Sequence, residues 1–280
     1  MTLEERARDS LYAIFPARRG WPLAVDDVAA VPLDATSVRL TSGARRLENL
    51  PRYKNLTALW CFDVNEDRLG SICDCTSLES LYIERLKTEN LGCLKKLTGL
   101  RRLGLEGCSR ASSLEALSRL PSLWGLAITH FKNVHDLGPL GGLRSLRALA
   151  VAGSMWTRMQ VHSFEPLGGL SDLELLHLTN IKAEDESLRP LGGLQNLKHL
   201  DIANFYPMSE FAWLSQRLGA TECTWFQPYI EMKHRECKTC RRATMVLLTG
   251  KRSPSLCSQC DTKALEKHVR NWNELVERAP

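Results

Sequence analysis

Four cysteines near the C-terminus have the spacing of a metal site: Cys237-Lys238-Thr239-Cys240, sixteen further residues, then Cys257-Ser258-Gln259-Cys260. Thiolates are soft ligands, and two CxxC pairs can set four of them tetrahedrally around one Zn2+, with Zn–S bonds of about 2.3 Å. Four thiolates leave no position open for water, so such an ion would fold the chain and not catalyse. Iron, disulfides and free thiols are the alternatives that these residue types leave open. Around the first pair and the turn that follows lie Lys238, Arg241, Arg242, Lys251 and Arg252. Clustered basic side chains can contact nucleic-acid phosphates, or they can keep a hairpin edge solvated. Few aromatics interleave with them, which speaks against stacking on single-stranded bases.

His177, His199 and Asp201 form a second group that could bind a metal or shuttle protons, if neighbouring strands bring them together. On a binding face, however, such histidines are more commonly polar contacts. The chain has no HExxH, no phosphate-cradling Gly-Lys-Ser/Thr loop, no nucleophile elbow and no dinucleotide fingerprint. The expectation is a protein that is not an enzyme and has no small-molecule substrate.

The elements that must position the cysteines can be read locally. Ala243–Thr249 is a strand-like run ended by Gly250, and the second pair opens a helix. On that helix Leu265, Val269, Trp272 and Val276 fall on one face. A knuckle, a hairpin, then a helix carrying two ligands resembles a treble-clef zinc finger over about residues 235–278. Charge separates this segment from the rest: residues 229–280 hold 11 basic and 6 acidic residues, whereas residues 1–228 balance 26 against 26. A module this small needs a staple such as zinc to be stable.

The larger part of the chain repeats. The pattern apolar-x-x-apolar-x-apolar recurs at Ala35/Val38/Leu40, Leu56/Leu59/Cys61, Leu78/Leu81/Ile83 and Leu100/Leu103/Leu105. It continues at Leu123/Leu126/Ile128, Leu146/Leu149/Val151, Leu173/Leu176/Leu178 and Leu197/Leu200/Ile202. First positions are 21 to 27 residues apart, and each unit adds apolar residues at steps of three, such as Leu91/Leu94/Leu97. This resembles the shorter class of leucine-rich repeats, of about 22 residues, over roughly residues 35–215. The resemblance implies an α/β solenoid: one short parallel strand per unit, a turn, and a helical or 3₁₀ return, stacked into an arc. The physical logic agrees, since no unit can bury its own leucines without its neighbours. The family's turn asparagine is missing; Cys108, Phe131, Ser154, Ile181 and Phe205 stand there, so apolar packing must close those turns.

Three segments follow: a helical N-terminal cap over 1–34, the repeats over 35–228, and the zinc module over 229–280. The cap rests on Thr2 and Glu5 as a capping box and on Leu3, Ala7, Leu11 and Ile14 at helical spacing, with Pro16 as the stop. Aromatics at 211–229 suit a seam between the last repeat and the module. Six scattered cysteines read as small buried hydrophobes of a reducing compartment. The acidic N-terminus is unlike a secretory signal, and no apolar run approaches the ~18 residues of a membrane span, so the expected location is cytoplasmic.

Between the core positions, side chains face the concavity of the arc. The middle row reads Arg39, Trp60, Tyr82, Gly104, Ala127, Ala150, His177 and Asp201. At one end Trp60, Phe62 and Tyr82 sit with Glu84, Arg85, Arg102 and Glu106, a mixture typical of interface hot spots. The middle is a bare floor of Gly and Ala on which a partner's helix or loop could lie. The far end is polar, with His177, His199 and Asp201. These are the candidate contacts for a protein partner. The competing reading is that the N-terminal segment covers the aromatics, with Trp21 folded over them.

Overall fold

The computed structural model describes residues 14–15 and 20–279. The expected helix over residues 2–15 therefore lies outside the described residues, apart from Ile14 and Phe15.

A ten-stranded sheet runs the length of the repeats. Its strands are β1 (Ala24–Asp27), β2 (Ser37–Arg45), β3 (Ala58–Val64), β4 (Ser80–Leu86), β5 (Arg102–Glu106), β6 (Gly125–Thr129) and β7 (Ala148–Ala152). After β8 (Met159–Val161), which lies outside this sheet, come β9 (Leu175–Leu178), β10 (Ile181–Ala183), β11 (His199–Ile202) and β12 (Glu222–Cys223). The sheet order is β1-β2-β3-β4-β5-β6-β7-β9-β11-β12, while β8 and β10 pair separately. Pairing is parallel, and equivalent residues of consecutive units stand opposite each other. Leu59 faces Leu81, Leu81 faces Leu103, Leu103 faces Leu126, and Leu149 faces Leu176. The sequence pattern anticipated eight strands; β1 and β12 extend the ladder by one strand at each end.

The apolar steps of three become 3₁₀ turns on the outer side, where three residues per turn bring every third leucine inward. Leu94 N–H donates to Leu91 O at 3.0 Å and Leu97 N–H to Leu94 O at 2.9 Å. In one unit the return is instead a helix, α1 (Glu66–Cys73), capped by Asn65. Cys61, Cys73, Cys75 and Cys108 are buried among the leucines, as small apolar side chains.

The turns after the strands solve the missing asparagine in two ways. Phe131, Ile181 and Cys108 are fully buried there. At the matching point of five units, near the end of the strand, one residue adopts left-handed backbone: Asp63, Arg85, Gly107, His130 and Asn180. Each has the φ that reverses the chain out of the sheet; Gly107 adopts it without a Cβ penalty.

The C-terminal end is closed by α2 (Met208–Arg217), which buries Phe211, Ala212 and Leu214, and by Trp225, whose Nε1–H donates to Ile202 O at 2.7 Å. The last segment is a three-stranded antiparallel sheet of β13 (Tyr229–Glu231), β14 (Met245–Leu248) and β15 (Ser255–Cys257), followed by α3 (Thr262–Glu277). α3 packs on α2, and buried Trp272 joins the same apolar core that begins at Val28. The hairpin tip docks on the repeats: Gly250 N–H donates to Asn204 Oδ1 at 2.7 Å and Lys251 N–H to Tyr206 O at 2.7 Å.

Candidate binding surface and metal cluster

The four cysteines converge. Cys237 and Cys240 lie in the loop between β13 and β14, Cys257 ends β15, and Cys260 sits in the turn before α3. The second pair thus precedes the helix, which begins at Thr262, two residues after Cys260, so its first turn does not carry the two ligands as the sequence suggested. The Asp261 carboxylate accepts from Cys257 N–H at 2.7 Å, holding the cysteine turn closed just ahead of the helix.

The four sulfurs lie within 4.8 Å of one another. Cys237 to Cys260 is 3.9 Å and Cys240 to Cys257 is 3.7 Å. A tetrahedron with bonds of about 2.3 Å has edges of about 3.8 Å, so this cage fits one ion of that radius. Backbone N–H groups point at the sulfurs, from Thr239 to Cys237 and from Cys260 to Cys257, each at 3.4 Å. The Thr244 hydroxyl beside Cys257 pulls that thiol down to about 6. Cys260, facing its neighbour Cys257, is pushed up to about 12. Four sulfurs this close cannot all ionise alone, and a dication resolves that repulsion. Among the described residues, no other group of three or more His, Cys, Asp or Glu could share an ion.

That finding separates the histidines. His177 Nδ1 lies 3.0 Å from Asp201 Oδ2 in the middle row, and its ring also meets Thr179. His199 stands opposite Leu175 in the adjacent row, and its Nδ1 lies 3.0 Å from Glu222 Oε2. The three side chains share a strand neighbourhood but no common ligand point.

The basic residues also divide. Lys251 pairs with Glu186 of the repeats, and the hairpin tip that carries it is docked. Lys238, Arg241, Arg242 and Arg252 are exposed. Lys182 and Lys251 together hold the Glu186 carboxyl at about 2.

On the sheet the middle row is realised in register: Arg39, Trp60, Tyr82, Gly104, Ala127 and Ala150 are consecutive partners, and His177 then faces Ala150 and Asp201. The aromatics are covered, however. Trp60 and Tyr82 are each only 6% exposed. Trp21 lies 5.8 Å from Trp60, 6.2 Å from Phe62 and 5.0 Å from Tyr82, ring centre to ring centre. Phe15 meets Tyr82 edge-on at 5.4 Å. The N-terminal segment thus lies over the aromatics, and an account of Trp60 and Tyr82 as openly exposed contacts is corrected. Tyr82 Oη also bonds the Glu106 carboxylate. Phe62, Glu84, Arg102 and Glu106 remain half-exposed and Arg85 exposed. Arg85 Nε–H donates to Asp63 at 3.0 Å, and Arg85 with Lys87 holds the Asp63 carboxyl well below the usual carboxylate range.

One row escaped the sequence reading. The residues just before each strand, Glu79, Arg101, Trp124, Arg147, Glu174 and Lys198, line an open groove of about 910 Å³ beside the covered floor. Their backbones bond from unit to unit, Trp124 N–H to Arg101 O at 3.0 Å and Arg147 N–H to Trp124 O at 2.8 Å. The regular ladder starts one residue later, so a pattern of core positions alone gives them no orientation.

The fold and the cluster define a leucine-rich-repeat solenoid that ends in a four-cysteine, metal-capable module. No protein-family model matches the chain, and no curated protein matches it. Among solved structures it is similar to an internalin from Listeria monocytogenes, with 20% identity and a TM-score of 0.52 over 66% of this chain; it spans 56% of that chain's length. It is also similar to internalin C2 of the same organism, with 22% identity and a TM-score of 0.46 over 63% of this chain and 71% of that one. A further similar structure is the ectodomain of the Arabidopsis thaliana receptor kinase GASSHO1/SCHENGEN3, with 15% identity and a TM-score of 0.46 over 71% of this chain and 25% of that one. At 20% identity, the likeness to the first of these bears on the fold alone. Among the described residues, no helix is long and apolar enough to cross a membrane.

Proposed function

We propose that this chain is a non-enzymatic scaffold of the cytoplasm that binds a protein partner on the concave face of its repeats, as a receptor or an inhibitor. The observation that carries the reading is the in-register concave sheet. It sets a Gly/Ala floor between half-exposed Phe62, Glu84, Arg102 and Glu106 at one end and His199 and Asp201 at the other. A flat array with a small-residue middle and mixed polar ends accommodates a polypeptide, whereas catalysis needs convergent groups. The cysteine cluster we assign to one structural Zn2+, supported by its sulfur–sulfur distances, in a treble-clef-like module that caps the arc. No disulfide joins any of the ten cysteines, which suits a reducing compartment. The docked hairpin tip, with Lys251 spent on Glu186, favours capping over phosphate binding for the basic residues.

The test is site-specific photocross-linking in the native cell, with the probe at Arg147 on the concave rim or at Lys95 on the outer 3₁₀ turn. Protein adducts from Arg147 and few from Lys95 are expected. Equal labelling at both sites, or adducts from Arg147 that nuclease rather than protease removes, would overturn the reading.

A further inference from the structure

Two apolar clusters sit on opposite sides of the sheet. The main core lies beneath it. The other, on the concave side, contains Ile14, Phe15, Trp60, Tyr82, Ala127, Ala148 and Ala150. Of these only Ile14 and Phe15 come from outside the sheet, and they are 1% and 3% exposed. The sheet beneath them is cut to their shape. A Cβ at Gly104 would lie 2.8 Å from Phe15 Cε2 and 2.6 Å from Tyr82 Cδ2; one at Gly125 would lie 3.1 Å from Ile14 Cγ2. Two glycines and three alanines on adjacent strands thus form a seat for one aliphatic and one aromatic side chain. Its rim is charged. Arg101, Arg147 and Lys198 line the neighbouring groove, and the Arg102 stem borders Gly125; Glu79 and Glu174 are the opposing acids. Lys198 is paired with Glu174 at 2.5 Å, which leaves Arg101 and Arg147 against Glu79 on the groove side of the seat, while Glu106, bonded by Tyr82, lies on the other side.

We infer that this seat is the recognition element of the concave face: it takes an aliphatic–aromatic pair flanked by acidic residues, the chain's own Ile14–Phe15 fills it at rest, and a protein partner presenting such a pair takes the seat by displacing them. The inference rests on the reading that the concave face binds protein, and it adds the partner's chemistry and the way binding is gated. A tethered occupant competes at a millimolar-scale effective concentration, so a partner sees an affinity lowered by the fraction of molecules with the seat open. Large apolar side chains in a fully desolvated pocket are what anchor protein interfaces, and the arginine rim adds charge complementarity for an acidic segment.

The experiment uses the full chain and a fluorescein-labelled synthetic peptide copying residues 10–22, with binding followed by anisotropy. Ile14→Ala with Phe15→Ala in the protein empties the seat. This variant should bind the peptide saturably, and wild type should bind it at least ~10-fold more weakly because its own segment competes. Adding Gly104→Val to the double variant places atoms where Phe15 sits and should abolish binding. Peptides with Glu flanking the pair should bind more tightly than peptides with Lys there. Equal binding by wild type and the double variant, or none by a folded double variant, overturns the inference. Loss of cooperative melting in the double variant overturns it too, since the segment would then be an inseparable part of the fold. The assay needs no outside partner, so its failure is distinguishable from failure of the cross-linking test.

Discussion

Replacing Cys257 with serine tests the tie between the metal cluster and the repeats. Cys257 is 1% exposed, ends β15, and is held by Asp261. Serine is a poor zinc ligand, and three thiolates within 4.8 Å of one another lose the fourth corner of their cage. Structural zinc supplies about 10–16 kcal/mol in small modules at neutral pH. That is as much as the whole stability of an ordinary domain, so the module should not remain folded without it. Its unfolding would uncover what α3 protects. Trp272 leaves the core, and the face of α2 packed beneath it is exposed. Losing one buried Trp costs about 3–5 kcal/mol in well-packed cores. At about 2–4 °C per kcal/mol for a unit of 150–250 residues, the repeats should melt roughly 6–20 °C lower. Metal content by mass spectrometry should fall from one zinc per chain to none, tryptophan emission should shift to the red, and calorimetry should show the lowered transition. Wild-type protein carrying no zinc, or a Cys257→Ser protein that keeps one zinc and melts unchanged, would refute the reasoning.

Two further outcomes are expected. Phe131→Ala should destabilise by about 3–5 kcal/mol in urea titration, because Phe131 is fully buried in the turn after β6; a change under 1 kcal/mol would show that the turn does not depend on apolar closure. The second concerns acid. Glu186, held by Lys182 and Lys251, has its carboxyl lowered from an ordinary 4.5 to about 2. A carboxylate of this kind favours the folded state above pH 4.5 and loses that contribution as pH falls toward 2. Docking of the hairpin tip, followed by tryptophan fluorescence, should therefore weaken across that interval, and Glu186→Gln should flatten the same stretch of the profile.

The stack was legible because its signal is redundant. Leucine in every unit, at steps set by strand and 3₁₀ return, survives departures such as Cys61 or Ala35. The cysteine cage was legible for a similar reason, since CxxC spacing constrains geometry on its own. The ends were harder. β1 is Ala-Val-Asp-Asp, with no apolar alternation, and it joins the sheet because Val28 is buried below and Asp27 is bonded by Arg46 Nε–H at 2.6 Å. The cover over the aromatics was readable only as one of two options. Which distant segment fills a floor depends on shape complementarity at Gly104 and Gly125, and periodicity says nothing of that. A usable hint was present: glycine at diagonal positions of two neighbouring strands, Gly104 opposite Ala127 and Gly125 opposite Arg102, signals that something approaches closely.

The unit between β7 and β9 is longer than its neighbours, yet Ala148 still faces Leu175 and Leu149 faces Leu176 without slippage. The surplus is spent outside the sheet, on a tight bend in which Ser154 Oγ accepts from Trp156 and Thr157 N–H, and on the side pairing of β8 with β10. Met155 and Trp156 project from that bend, 84% and 89% exposed. Lineages of this architecture could therefore lengthen, shorten or redecorate a single bend while every other unit stays as it was, so the flank of the molecule is free to diversify at a pace the ladder never feels.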